Sequence, residues 1–169
     1  MQIESVPWLE ASLALVLALA IGSLAEYLVH RLMHTGRLLG KTHARHHQDG
    51  DGQGWFLEFW DYLKGTLAIL WVGFLYSVPA GIGFATGGLL YAMLAAYAHQ
   101  IQHERPEMVF WMKRPVHYLH HKHHMWKHNF GILVDVWDRV FGTYRVVEWV
   151  PERRPFQHPL SDFLRIKWF

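Results

Sequence analysis

The sequence predicts an all-α integral membrane protein with about three transmembrane helices, one span followed by a short hairpin. A cytoplasmic helical cap would carry a histidine-ligated dimetal site. Three observations predict this. Two long stretches carry no charge, and all 16 lysines and arginines lie outside them. Every histidine of the 14 except His158 falls between His30 and His128, grouped at short, regular spacings. The chain of 169 residues is expected to form a single membrane-embedded domain over residues 1–169.

Composition narrows the function classes. Hydrophobic residues make up 51% and charged residues 18%, which excludes a disordered chain. Mean hydropathy is +0.03, too low for a protein buried wholly in lipid. The absence of cysteine excludes disulfides, thiolate metal sites, protein-ligated iron–sulfur clusters and cysteine nucleophiles. The net charge of +2 comes without a basic stripe, so no nucleic-acid partner is expected.

The first element is the uncharged run at residues 11–25, bounded by Glu10 and Glu26. Extended over residues 7–29, it would form a helix of about 34 Å, enough to cross a bilayer. Glu4 and Glu10 stand where a cleaved leader carries Lys or Arg, so a retained span is expected. The second uncharged run begins at Gly65 and ends at His103. Its middle, SVPAGIGFATGG, concentrates Pro79, Gly81, Gly83, Gly87 and Gly88. Proline and clustered glycine predict a break, and hence two short helices joined at residues 77–83. The lysines and arginines all lie in residues 31–64 or 105–169. By the positive-inside rule those segments face the cytoplasm, with the N-terminus and the Pro79 tip on the opposite side. The C-terminal aromatics, from Trp126 and Phe130 to Trp168 and Phe169, suit a cap against the membrane surface. Arg153, Arg154, Arg165 and Lys167 predict either a basic interfacial face or an ordinary solvated tail.

Four histidine clusters carry the chemistry. His30 and His34 stand at i, i+4, and His43, His46 and His47 follow. His99 and His103 repeat the i, i+4 pair, and HYLHHKHH supplies His117, His120, His121, His123 and His124. Residues three or four apart share a helix face, so each cluster can aim imidazoles at one point. The first span and the hairpin both end on the basic side, which brings all four clusters to one membrane face. Eight or more imidazoles exceed what one tetrahedral zinc takes, so two metal ions are expected. Nitrogen ligation suits iron, zinc or copper. No Glu-x-x-His and no His-Glu-x-x-His occurs, which argues against a carboxylate-bridged helix-bundle site and against a zinc protease. On a continuous helix, His117, His120, His121 and His124 lie within one arc of about 100°, and His123 falls about 60° outside it. His117, His120 and His121 are the first choice as ligands, and His120, His123 and His124 the alternative. His128 is read as supporting a ligand and His158 as a surface residue.

The order H-x-x-x-H, H-x-x-H-H, H-x-x-x-H, H-x-x-H-H resembles that of the fatty acid hydroxylase/sterol desaturase superfamily. So does HNFGILVDVWDRVFGTY at residues 128–144. The resemblance covers residues 26–144. It implies two iron ions, replaceable by zinc in a purified sample, and O2-dependent attack on a lipid C–H bond on the cytoplasmic side. The lipid would be fatty acyl, sterol-like or carotenoid, and the outcome hydroxylation or desaturation. It carries ligand roles onto His30, His34, His43, His46, His47, His99, His103, His117, His120 and His121. The chain has no Gly-x-Gly-x-x-Gly loop and no cysteine cluster. Electrons are therefore expected from a ferredoxin- or cytochrome-type donor protein. Glu26, one turn before His30, is a candidate to hold a ligand in place. Asn129 is read either as orienting a ligand or metal-bound water, or as a turn residue before Gly131. Asp138 is read either as bonding a ligand imidazole or as pairing with Arg139 or Arg145. The competing reading is a non-enzymatic, histidine-rich membrane protein that binds or transports metal. A carrier needs polar residues along its helices, and the hairpin interior before His99 holds no histidine.

Overall fold

Pro7 opens a helix of 27 residues, because a proline in the first turn lacks only an N–H that would have no partner there anyway. The computed structural model describes residues 6–151 and 159–169. They are 66% helical, with no strand among them. The long helices are α1 (Pro7–Met33), α3 (Trp55–Ile69) and α4 (Val78–Glu104). Shorter ones are α2 (Gly40–Asp49), α5 (Val116–Lys122), α6 (Val136–Val140) and α7 (Pro159–Leu164), with single 3₁₀ turns at Val72–Leu75 and Pro106–Met108.

Helices α1 and α4 are long and apolar enough to cross a membrane. At 27 residues each spans about 40 Å. Leu13, Val16 and Leu17 of α1 are each more than half exposed, an apolar face that lipid would cover. Helix α3 has 15 residues, about 22 Å, and carries Glu58, Asp61 and Lys64.

The break in the second uncharged run falls earlier than its glycines suggest. The chain turns between Leu70 and Ser77, and α4 then runs unbroken through Gly81, Gly83, Gly87 and Gly88. Ser77 caps α4 by accepting a hydrogen bond from the Ala80 N–H, and Pro79 lies in the first turn, where it starts a helix rather than ending one. The glycines serve contact between helices. A side chain at Gly83 would collide with the Ala11 carbonyl, and one at Gly87 would come within 2.5 Å of the Leu15 carbonyl oxygen. Tyr91 fills the notch left by Gly22, so contacts advance together along both helices and α1 and α4 run parallel. Their C-terminal ends, with His30, His34, His99 and His103, therefore meet at one face. Helix α3 returns antiparallel beside α4: Gly73 meets Ala80 near the turn, and Gly54 donates to Gln100 at the other end.

The C-terminal segment packs across the start of α3 and the end of α4. Carbonyls of Lys167 and Trp168 accept the Trp55 and Phe56 N–H groups, filling the unpaired donors at the start of α3. Ile166 is buried with Ile101, Met108, Val109, Met112 and Val116. Arg153, Arg154 and His158 lie outside the described residues.

Candidate metal centre

The end of α1, the short α2, the end of α4 and the short α5 bring their histidines together in two groups. His30, His34, His43, His47 and His120 form the first, and His46, His99, His103 and His117 the second. Within each group the possible ligand atoms all lie within 4.8 Å of one another. In the first group the Nε2 atoms converge: His34 to His43 is 2.9 Å, His34 to His120 2.9 Å, His43 to His47 3.1 Å, His47 to His120 3.2 Å and His30 to His34 3.3 Å. In the second, His103 Nε2 lies 3.2 Å from His117 Nε2, and His46 Nε2 is buried with no partner.

These distances fit a metal. With metal–nitrogen bonds of about 2.0–2.1 Å, neighbouring ligands at right angles stand about 3 Å apart. The proton positions agree. His30 Nδ1 lies 2.6 Å from the Phe130 carbonyl, His120 Nδ1 2.7 Å from the His128 carbonyl, and His103 Nδ1 2.9 Å from the Gly50 carbonyl. A carbonyl only accepts, so each Nδ1 carries the proton and each neutral ring presents a bare lone pair at Nε2. Those three lone pairs point among nitrogens about 3 Å away, a spacing that a shared cation would satisfy.

Burial keeps the rings outside the two long helices neutral. It pushes His34 and His46 down to about 4, and His43 and His47 to about 3, with neighbouring imidazoles adding to the effect. Burial likewise holds His117, His120 and His121 below the ordinary range. A neutral imidazole is the form that binds metal.

Nine of the ten histidines chosen first from the sequence fall into the two groups. The tenth, His121, stacks on His47 at 3.9 Å between ring centres and lies 4.6 Å from both His103 and His117. Both of its ring nitrogens are buried without a partner. His123 and His124 are exposed and belong to neither group. Helix α5 ends at Lys122, so the helical phase of the later histidines no longer applies.

The expected supporting residues act on a loop rather than on imidazoles. The loop at residues 128–133 carries the two carbonyls that hold His120 and His30. Glu26 accepts N–H groups of Ile132 and Leu133 and the Tyr91 hydroxyl, and touches no imidazole. Asp138 accepts the Phe130 and Gly131 N–H groups and the Thr143 hydroxyl; Arg139 pairs instead with Asp135. Burial raises Asp138, while those hydrogen bonds pull the other way. Asn129 has φ +61° and bonds the Arg145 backbone through both ends of its amide, tying the loop to the segment after α6. His128 contributes its carbonyl, not its ring.

Sequence reasoning missed Glu58 and Gln102. Glu58 is 5% exposed, with Oε2 2.7 Å from His99 Nδ1. Gln102 accepts the His117 N–H and donates to the Ile132 carbonyl. The available signal was polarity in apolar surroundings: Glu58 amid WFLEFW, and Gln102 within the uncharged run that ends at His103.

The fatty acid hydroxylase family model matches residues 15–143, from within α1 to Thr143. No curated protein and no solved structure matches the chain. The matched segment contains the loop at residues 128–133 and every histidine of both groups, and by it the chain belongs to the fatty acid hydroxylase/sterol desaturase superfamily.

Proposed function

We propose that the protein is a membrane-bound di-iron oxygenase that hydroxylates or desaturates a lipid, using O2 and electrons from a separate donor protein. The observation that carries this is the pair of adjoining imidazole groups at the shared ends of two membrane-length helices. His30, His34, His43, His47 and His120 would hold one iron, and His46, His99, His103 and His117 the other, with His121 between them. Bound iron supplies the O2-dependent redox chemistry that breaks an unactivated C–H bond. The chain's own residues hold the site and shield it. Buried Phe130 stands against His34 with ring centres 5.4 Å apart and keeps water from that side of the first group, and half-exposed Trp126 lies against the same ring at 4.7 Å. A lipid chain lying along α1 or α4 ends at the histidines, which is where a reactive carbon must be. The donor would be of ferredoxin or cytochrome type.

The test is anaerobic purification, metal quantification, and turnover with a reduced ferredoxin, lipid vesicles and ¹⁸O₂. We expect two irons per chain and ¹⁸O in a hydroxylated lipid, or ¹⁸O in water beside a new double bond. Turnover of lipid by metal-free protein would overturn the proposal. The proposed orientation puts the histidines on the cytoplasmic side and the Leu70–Ser77 turn opposite. The chain lacks cysteine, so single cysteines at Tyr76 and Lys122 should react from opposite sides of sealed vesicles.

A further inference from the structure

The two histidine groups differ in what stands behind them. In the first group, His30 and His120 each turn Nδ1 to a neutral backbone carbonyl. In the second, His103 does the same with Gly50, but His99 faces a carboxylate, Glu58, at 2.7 Å. No other imidazole of the nine has a carboxylate contact among the described residues. Glu58 is itself buried, on α3 rather than on a histidine-bearing helix. Its second oxygen accepts the Gln53 N–H at 3.3 Å, which leaves His99 as its closest partner. A buried carboxylate is costly to keep unless its charge is answered, and a cation on the far side of the imidazole would answer it. With Nδ1 beside the Glu58 carboxylate, Nε2 is the nitrogen left for a metal, and an imidazole backed by a carboxylate is the more basic ligand.

We infer that Glu58 positions His99 and gives the second metal position a negative charge that the first lacks, so the two ions are chemically inequivalent. The second group also has one imidazole fewer, and Glu58 makes up in charge what it lacks in ligand number. This rests on the two-metal reading, but it concerns metal binding and not oxygen chemistry.

The experiment is a titration of the full-length, metal-free protein with zinc(II), followed by calorimetry. Wild type should show two binding events. Glu58→Gln keeps the size and an oxygen that can accept from Nδ1, and removes only the charge. It should weaken one event by about 10-fold, and Glu58→Ala by about 100-fold, leaving the other unchanged. His99→Ala should abolish that same event. In ⁵⁷Fe-loaded protein, two distinct Mössbauer signals are expected, and Glu58→Gln should move one of them. A merely structural glutamate would shift neither signal alone. Wild-type affinities in Glu58→Gln, or equal weakening of both events, would overturn the inference, and this variant decides the matter even if Glu58→Ala fails to fold. Wild type taking up no zinc would overturn it as well. Two zinc events without O2 consumption by the iron-loaded chain would sink the oxygenase reading and leave the role of Glu58 standing.

Discussion

His120 and its neighbours show how much depends on which atom of a residue is used. Its Nδ1 bonds the His128 carbonyl and its Nε2 meets His34 and His47. His120→Ala should therefore empty the first group, measured as metal per chain. His123→Ala should retain full metal content, since that ring is exposed, and so should His128→Ala, since any residue supplies a carbonyl. Loss of metal in His123→Ala would establish the alternative triplet of His120, His123 and His124. Asp138→Ala is the opposite case. Asp138 touches no imidazole, yet its loss would strand two loop N–H groups and leave the Thr143 hydroxyl only its Tyr27 partner. It should cost on the order of 3 kcal/mol in chemical unfolding. Its place in the sequence, WDR, suggests an ion pair with Arg139. The carboxylate turns instead to backbone N–H groups seven and eight residues earlier, a choice that only the folded loop reveals.

At the scale of elements, the α1–α4 contact depends on absent side chains. Gly83→Ala should destabilise the protein by about 1–3 kcal/mol, because the neighbour is backbone and cannot yield. Gly65, in α3, has nothing within 4 Å of an added methyl group, and Gly65→Ala should stabilise by about 0.5–1 kcal/mol. Thermal unfolding in detergent micelles compares the two. A neutral Gly83→Ala would mean that the helices do not touch there. The sequence alone gives these glycines one appearance and two meanings. A missing side chain weakens an isolated helix, and it also admits a second backbone. Only the presence of α1 decides between them. Hence the hairpin break was expected at residues 77–83 and lies before them.

For the whole molecule, the gathered histidines link stability to pH. Burial holds His34, His43, His46 and His47 at about 3 to 4, below the ordinary value of 6.5. Between those values the unfolded chain binds protons that the folded chain refuses, so acid favours unfolding. Stability of the metal-free protein should be level above about pH 7 and fall steadily as pH drops through 6.5 towards 4. Thermal unfolding across that range checks this, and a midpoint that stays level or rises in acid would contradict the buried, neutral cluster. Bound metal should be released over the same acid range, since protons compete for the same lone pairs.

The sequence by itself determined the helical class, the membrane-length runs and the histidine sets, because each is written in local spacing. An i, i+4 pair shares a face wherever its helix lies, and an uncharged run is apolar in any fold. Nine of the ten histidines chosen first from spacing and family resemblance accordingly lie in the two groups. Tertiary structure alone decided how they divide. His46 and His47 are adjacent in sequence yet belong to different groups, and so do His117 and His120 on one helical turn. It also decided that Glu58 faces His99 across 41 residues and that the loop at residues 128–133 supplies the carbonyls fixing the tautomers. The physical reason is that a backbone carbonyl has no signature in sequence, and a carboxylate acquires its partner only when two distant helices lie side by side.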